Sequence, residues 1–150
     1  MIKEELIKMI DCSEIQDNHE WKFGDRVKFK NRKGTYGKNN CIEQIQVIRE
    51  SLEHPFYNKN DLLYIPTIED WLEKLKNVEC DILKYTCVKG GDVMYNIHYY
   101  DDNEECIIFI ESCLLIALTR LYMYSVHNKE WNAESKTWEA NCNIKISYAI

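Results

Sequence analysis

The stretch DILKYTCVKGGDVMYNIHYY, Asp81 to Tyr100, decides the fold, together with CIIFI, Cys106 to Ile110, which follows it. Asp81 to Val88 and Val93 to Tyr100 are rich in β-branched and aromatic side chains. They flank Lys89-Gly90-Gly91-Asp92, whose paired glycines supply the positive backbone angles of a tight hairpin turn. Asp101-Asp102-Asn103 marks a second turn, and Cys106 to Ile110 reads as a third strand. Three strands in succession with short turns predict an antiparallel meander.

Downstream, Ser112 is placed to cap a helix over Cys113 to His127. There Leu114, Leu115, Leu118, Leu121, Tyr122 and Val126 form an apolar sector too wide to face water. His127 falls beside the last carbonyls, where a cation or donor suits the helix end. Trp131 and Trp138 then bracket a polar loop, and Asn143 to Ile150 alternates as a last strand.

Upstream, Leu62-Leu63-Tyr64-Ile65 runs extended into Pro66. Thr67 with Asp70 approximates a capping box, and Ile68, Trp71, Leu72 and Leu75 share one face of a helix that stops at Asn77. Cys41 to Leu52 spaces Ile42, Ile45, Ile48 and Leu52 as a helix would, with Val47 blurring the pattern. Asn31 to Asn40 is a loop. Trp21 to Lys30 alternates apolar with charged residues and predicts a half-buried strand; Ile2 to Asp11 predicts a short amphipathic helix, and a polar stretch over Cys12 to Glu20 joins the two. The expected fold is α+β. An antiparallel sheet, the meander at about 80–110 plus N- and C-terminal strands, is packed by helices at about 67–77 and 112–127. One domain over 1–150 is the default for this length, with residues 1–60 joining the main core or standing as a small appended lobe.

A content of 45 % hydrophobic and 29 % charged residues suffices to bury a core. The opening Met1-Ile2-Lys3-Glu4-Glu5 carries acids where a signal peptide needs cations, and no apolar run approaches the ~20 residues of a membrane span. The expectation is a cytoplasmic protein without a membrane partner. Seven cysteines, none in a Cys-x-x-Cys pair and none closer than seven residues, read as reduced small side chains rather than zinc ligands or a disulfide framework. None of the five glycines stands in a phosphate-binding context. No cofactor, metal ligand or catalytic residue is expected.

The formal charge of −6 is uneven: Lys22 to Lys38 holds seven Lys or Arg against Asp25 alone. Arg26, Lys28, Lys30, Arg32 and Lys33 interleave with Trp21, Phe23, Phe29 and Tyr36, a combination that tracks phosphates and stacks bases. A solvated edge strand, guarded by its lysines, has the same pattern, and so does a site for an acidic protein. Gly24-Asp25-Arg26-Val27 with Gly34 and Gly37 also resembles the opening of small SH3-like barrels. Glu20-Trp21-Lys22 and Glu134-Ser135-Lys136 have the composition of a metal-dependent nuclease site, though 25 acids and 19 bases produce such triplets by chance. His98 lies near Cys87 and Cys106 without the electropositive setting a thiolate needs. Aromatic residues are the stronger recognition signal. Tyr95 and Tyr99 on the hairpin, and Trp131, Glu134 and Trp138 near the tail, are the candidate protein-binding residues, on the solvent face of the hairpin and the Trp131 to Trp138 loop.

The order Leu63-Tyr64-Ile65-Pro66-Thr67-Ile68-Glu69-Asp70-Trp71-Leu72, then the meander, Ile116-Ala117-Leu118, Lys129-Glu130-Trp131-Asn132 and Thr137-Trp138-Glu139, resembles a loose class of small phage and prophage proteins of low-GC bacteria. The resemblance spans roughly the last 90 residues. It implies an α+β fold, a host-cytoplasmic setting and a mobile-element origin, and it assigns no site residues. It also implies action by binding a host protein complex, as an inhibitor of a CRISPR-type defence or another nucleic-acid-handling protein. Direct nucleic-acid binding through the basic strand and metal-dependent nuclease activity stand as alternatives.

Overall fold

The computed structural model describes residues 3–17, 19–20, 22, 25–29, 46–47, 62–86 and 90–141. The chain gathers into two compact units, Met1–Thr67 and Ile68–Ile150. The α+β expectation holds, and every strand pair is antiparallel.

In the first unit, α1 (Glu4–Ile10) buries Leu6, Ile7, Met9 and Ile10, the spacing of one helix face, and keeps Glu4 and Lys8 outside as an ion pair one turn apart. The polar stretch after it contains a one-turn helix, α2 (Ser13–Gln16), which buries Ile15. Strands β1 (Arg26–Phe29), β2 (Gln46–Val47) and β3 (Leu62–Tyr64) form a sheet in the order β2-β1-β3.

Two expectations are corrected there. β1 is the central strand and not an edge, and Val27 and Lys28, which point to opposite faces, are both buried. Alternation predicted one wet face, but partners on both sides enclose the strand. Gln46 and Val47, read as helical, pair with Val27 and Arg26, because β-branched residues and a ladder partner outweigh a helical spacing. The rest of the 41–52 expectation, the 31–40 loop and the tail strand lie outside the described residues.

The second unit holds α3 (Ile68–Lys74), the meander β4 (Cys80–Thr86), β5 (Val93–Tyr100) and β6 (Cys106–Glu111), helix α4 (Leu114–His127), and a hairpin of β7 (Lys129–Asn132) and β8 (Thr137–Ala140). The meander order is β4-β5-β6; the N-terminal strand does not join it but belongs to the first unit's sheet. Ile97 stands between Ile82 and Phe109, fixing the register. Gly91 takes a φ of +69°, the left-handed geometry the Gly-Gly pair predicted.

α4 packs on β5, β6, β7 and α3; of the expected apolar sector Leu118, Leu121 and Tyr122 are buried, Leu114 and Leu115 are half-buried and Val126 is 51 % exposed, while Ile116, Ala117 and Met123, outside that sector, are buried as well. Both of its caps differ from expectation. Cys113, not Ser112, occupies the N-cap position and makes no side-chain cap bond. At the other end Asn128, in the left-handed region at φ 54°, donates its N–H to the carbonyls of Met123 and Tyr124, while His127 turns to the Tyr122 hydroxyl, with Nε2 at 3.3 Å. α3 ends at Lys74 rather than Asn77; Trp71 on it and Leu75 just past its end are buried, but Ile68 and Leu72 are exposed, so the contact stripe is narrower than the apolar spacing suggested.

Candidate functional site

Side chains directly opposite in an antiparallel ladder share a face. Ile82, Ile97 and Phe109 therefore mark the inner face of the meander, on which Ile97 and Phe109 are buried while Ile82, on β4, stays 38 % exposed. Phe109 and Tyr99 meet the Tyr124 ring of α4 edge-on, with centroids 5.6 and 5.9 Å away. Arg120 of α4 lies over the Phe109 ring and pairs with Glu111 at 2.8 Å.

The opposite face has no such cover among the described residues. Leu83, Tyr85, Ile108 and Ile110 are each 40–51 % exposed there, with Met94, Asn96, His98 and Tyr100 between them on β5. Isolated exposed apolar residues are ordinary, whereas a contiguous set across three strands marks an interaction surface. Asn96 stands between Leu83 and Ile110, and its Oδ1 is buried without a hydrogen-bond donor among the described residues.

One end of this face is acidic. The β5–β6 turn carries Asp101, Asp102, Glu104 and Glu105, and the start of β4 adds Glu79 and Asp81. Asp101 shapes the turn: its Oδ1 accepts the N–H groups of Asn103 and Glu105, both at 2.9 Å, while Glu104 takes a φ of 60°. The other five carboxylates are exposed, and none forms an ion pair among the described residues. Their field reaches the neighbouring phenols. Tyr99 is held above the ordinary tyrosine range by burial and then by Asp102 and Asp101; Tyr100 is raised by desolvation and then by Asp81, whose Oδ2 accepts its hydroxyl at 3.5 Å. Residues 68–150 contain 14 Asp or Glu and eight Lys or Arg, giving −6, while the first 67 contain 11 of each. The entire formal charge thus belongs to the unit that bears the acidic turn.

The aromatic residues singled out by sequence fall into separate places. Tyr95 and Tyr99 share parity with Ile97 and therefore line the inner face, so the solvent face belongs to Met94, Asn96, His98 and Tyr100. Trp131 and Trp138 do come together, directly opposite across β7 and β8 with ring centroids 5.1 Å apart at 62°. The polar loop between them is a tight turn: Asn132 Oδ1 accepts the N–H groups of Glu134 and Ser135, and Lys136 takes a φ of 56°. Glu134 is exposed on that turn, beside an open depression of about 400 Å³ whose rim includes Glu130 and Glu139.

Of the basic candidates, Lys28 is only 3 % exposed, and Arg26 is half-buried with its Nη2 bonded to the Pro66 carbonyl at 3.0 Å. Neither presents its charge to a phosphate backbone. Lys30, Arg32 and Lys33 lie outside the described residues. The Glu134-Ser135-Lys136 triplet is the hairpin turn itself, and the described residues hold no group of three metal-ligating side chains. Cys12, Cys80, Cys106 and Cys113 are free thiols; burial, with Asp81 second, pushes the Cys80 thiol up and away from thiolate chemistry.

Sequence reasoning gave no role to His19. Its Nε2 lies 2.7 Å from Asp25 Oδ2, both side chains are nearly fully buried, and its ring stacks on Tyr64 at 3.4 Å. The same carboxylate oxygen accepts the Lys22 N–H at 2.9 Å. The arrangement clasps the segment before β1 onto β3.

No family model, curated protein or solved structure matches this chain. Among the described residues, no helix is long and apolar enough to cross a membrane.

Proposed function

We propose that this chain acts by binding: the acidic end of the meander seats on a basic, nucleic-acid-binding groove of a partner protein, with the neighbouring apolar face supplying contact area. The observation that carries this reading is the conjunction of the five exposed carboxylates Glu79, Asp81, Asp102, Glu104 and Glu105 with the uncovered Leu83, Ile108 and Ile110 on one small sheet. Carboxylates arrayed at that density compete with phosphate for Lys and Arg, while the apolar floor contributes the burial that charge alone does not. The phage-like sequence pattern supports an inhibitor of a host defence complex of CRISPR type, or of another nucleic-acid-handling protein.

The test is capture from lysate of a low-GC bacterium with an active CRISPR-type defence, with and without nuclease treatment, using the tagged chain and its Asp102→Asn/Glu104→Gln/Glu105→Gln variant. A stoichiometric protein partner is expected on the wild type and at least tenfold less on the variant, with retention falling as salt rises. Recovery of nucleic acid alone, or a partner indifferent to the three charges, would refute the reading.

A further inference from the structure

β6 is an edge strand among the described residues, and Cys106-Ile107-Ile108-Phe109-Ile110 carries no charge, proline or glycine to discourage pairing. β4, the other edge, is interrupted by Asp81 and Lys84. Soluble proteins guard exposed edges with such residues, and an unguarded apolar edge is a template for another strand.

We propose that a second copy of this chain fills that edge, β6 pairing antiparallel with β6 to make one six-stranded sheet about a two-fold axis. The two-fold requires that residues paired across it share a face, which leaves registers centred on a residue. Centring on Ile108 sets Glu105 opposite Glu111, a like-charge pair. Centring on Ile107 brings Glu105 opposite the buried Phe109, and centring on Ile110 pairs Cys106 with the first residue of α4. Centring on Phe109 avoids all three. It places Phe109 opposite itself, Ile108 opposite Ile110 of the second copy, and Ile107 opposite Glu111, whose charge Arg120 already meets at 2.8 Å.

The same register supplies charge complementarity at both ends. Glu105 falls opposite Cys113, so the acidic turn of each copy stands beside the start of α4 in the other. That helix is 14 residues long, has no acid in its first turn and takes no cap bond from the Cys113 side chain, and the positive end of its dipole favours carboxylates. The assembly also doubles the apolar face of the meander. It does not depend on the partner reading above, and either can fail without the other.

The test is the mass of the purified chain in solution by light scattering at tens of micromolar, for wild type, Ile108→Lys and Ile110→Lys. Both isoleucines are about half exposed, so a lysine at either leaves the monomer fold intact, which circular dichroism checks. Dimeric wild type and variants whose dissociation constant rises at least tenfold are expected. A chain carrying both I108C and I110C should oxidise to a reducible covalent dimer while neither single variant does, since in this register each position faces the other and neither faces itself. Monomeric wild type, a dimer unaffected by both lysines, or failure of the cysteine pair to cross-link would overturn the proposal.

Discussion

The Gln16 carboxamide grips the backbone of Tyr64 at both ends: Nε2 donates to the Tyr64 carbonyl and Oε1 accepts the Tyr64 N–H, each at 2.9 Å. The same Nε2 donates to the Ile10 carbonyl, also at 2.9 Å. A side-chain amide here does what a neighbouring strand would do for β3, and it ties α1 and α2 to the sheet. With His19 stacked on the Tyr64 ring, one residue of β3 anchors the whole segment that precedes β1.

Replacing Gln16 separates hydrogen bonding from packing. Gln16→Leu leaves the Tyr64 backbone groups unpaired and should cost about 2 kcal/mol at every pH. Gln16→Glu sets a carboxylate against the Ile10 and Tyr64 carbonyls and should cost about 3 kcal/mol at neutral pH. The introduced carboxyl titrates higher in the folded state than in the unfolded one. Its destabilisation is therefore present at neutral pH and recedes as pH falls and the proton returns a donor. Urea unfolding at neutral and mildly acidic pH checks both; equal costs at the two pH values for Gln16→Glu would contradict the argument.

Trp71 is fully buried against Tyr122, ring centroids 4.9 Å apart, yet its Nε1–H finds no acceptor among the described residues. Trp71→Ala should cost about 3–5 kcal/mol through lost burial and the cavity left behind. Trp71→Phe gives up part of the ring but also removes a buried unsatisfied donor, and should cost about 1 kcal/mol or less. Chemical denaturation of the two variants decides: similar losses in both would mean that the N–H is satisfied.

How much of this was legible in the sequence depends on whether a signal was local. The meander was readable because Gly90-Gly91 and the acid-rich turn punctuate strong strand formers, and α4 because its apolar sector is wide. Both faces of β6 are apolar, however, so Ile107 to Ile110 did not say which side α4 covers; only pairing with Ile97 does. The same parity assigns Tyr95 and Tyr99 to the covered face. β1 was misplaced because a central strand can bury Lys28, something alternation does not reveal. The β7–β8 hairpin was read as a loop because its turn has no glycine: Lys136 adopts the positive φ, and Asn132 supplies the bonds. The acidic turn was visible as a turn, and its concentration with Glu79 and Asp81 emerges only when β4 and β5 pair.

Trp131 and Trp138 should be energetically coupled. They face each other across the hairpin in the edge-to-face geometry that aromatic quadrupoles favour. In a double-mutant cycle of Trp131→Ala and Trp138→Ala, the interaction term should be about 1 kcal/mol. Additive losses would show that each ring packs independently and that the 5.1 Å approach contributes nothing of its own.

Alkaline titration reads the acidic end directly. Tyr99, Tyr100 and Tyr124 are all raised above the ordinary tyrosine value of about 10. Burial is the largest cause in each; Asp102 and Asp101 follow at Tyr99, while at Tyr124 a hydrogen bond with Asn141 works the other way before Glu130, Asp101 and Glu105 add to the rise. A phenol with a raised folded pKa stays protonated after its unfolded counterpart has ionised. Unfolding then releases protons, so stability is unaffected at neutral pH and falls as pH climbs through the unfolded value toward the folded one. Phenolate absorbance should accordingly show a late-titrating group that moves to the ordinary range on denaturation. Asp101→Asn with Asp102→Asn should lower the Tyr99 midpoint only part of the way, because burial remains. A midpoint unmoved by both substitutions would mean that the acidic turn exerts no field on the sheet, and would remove the electrostatic basis for the partner reading.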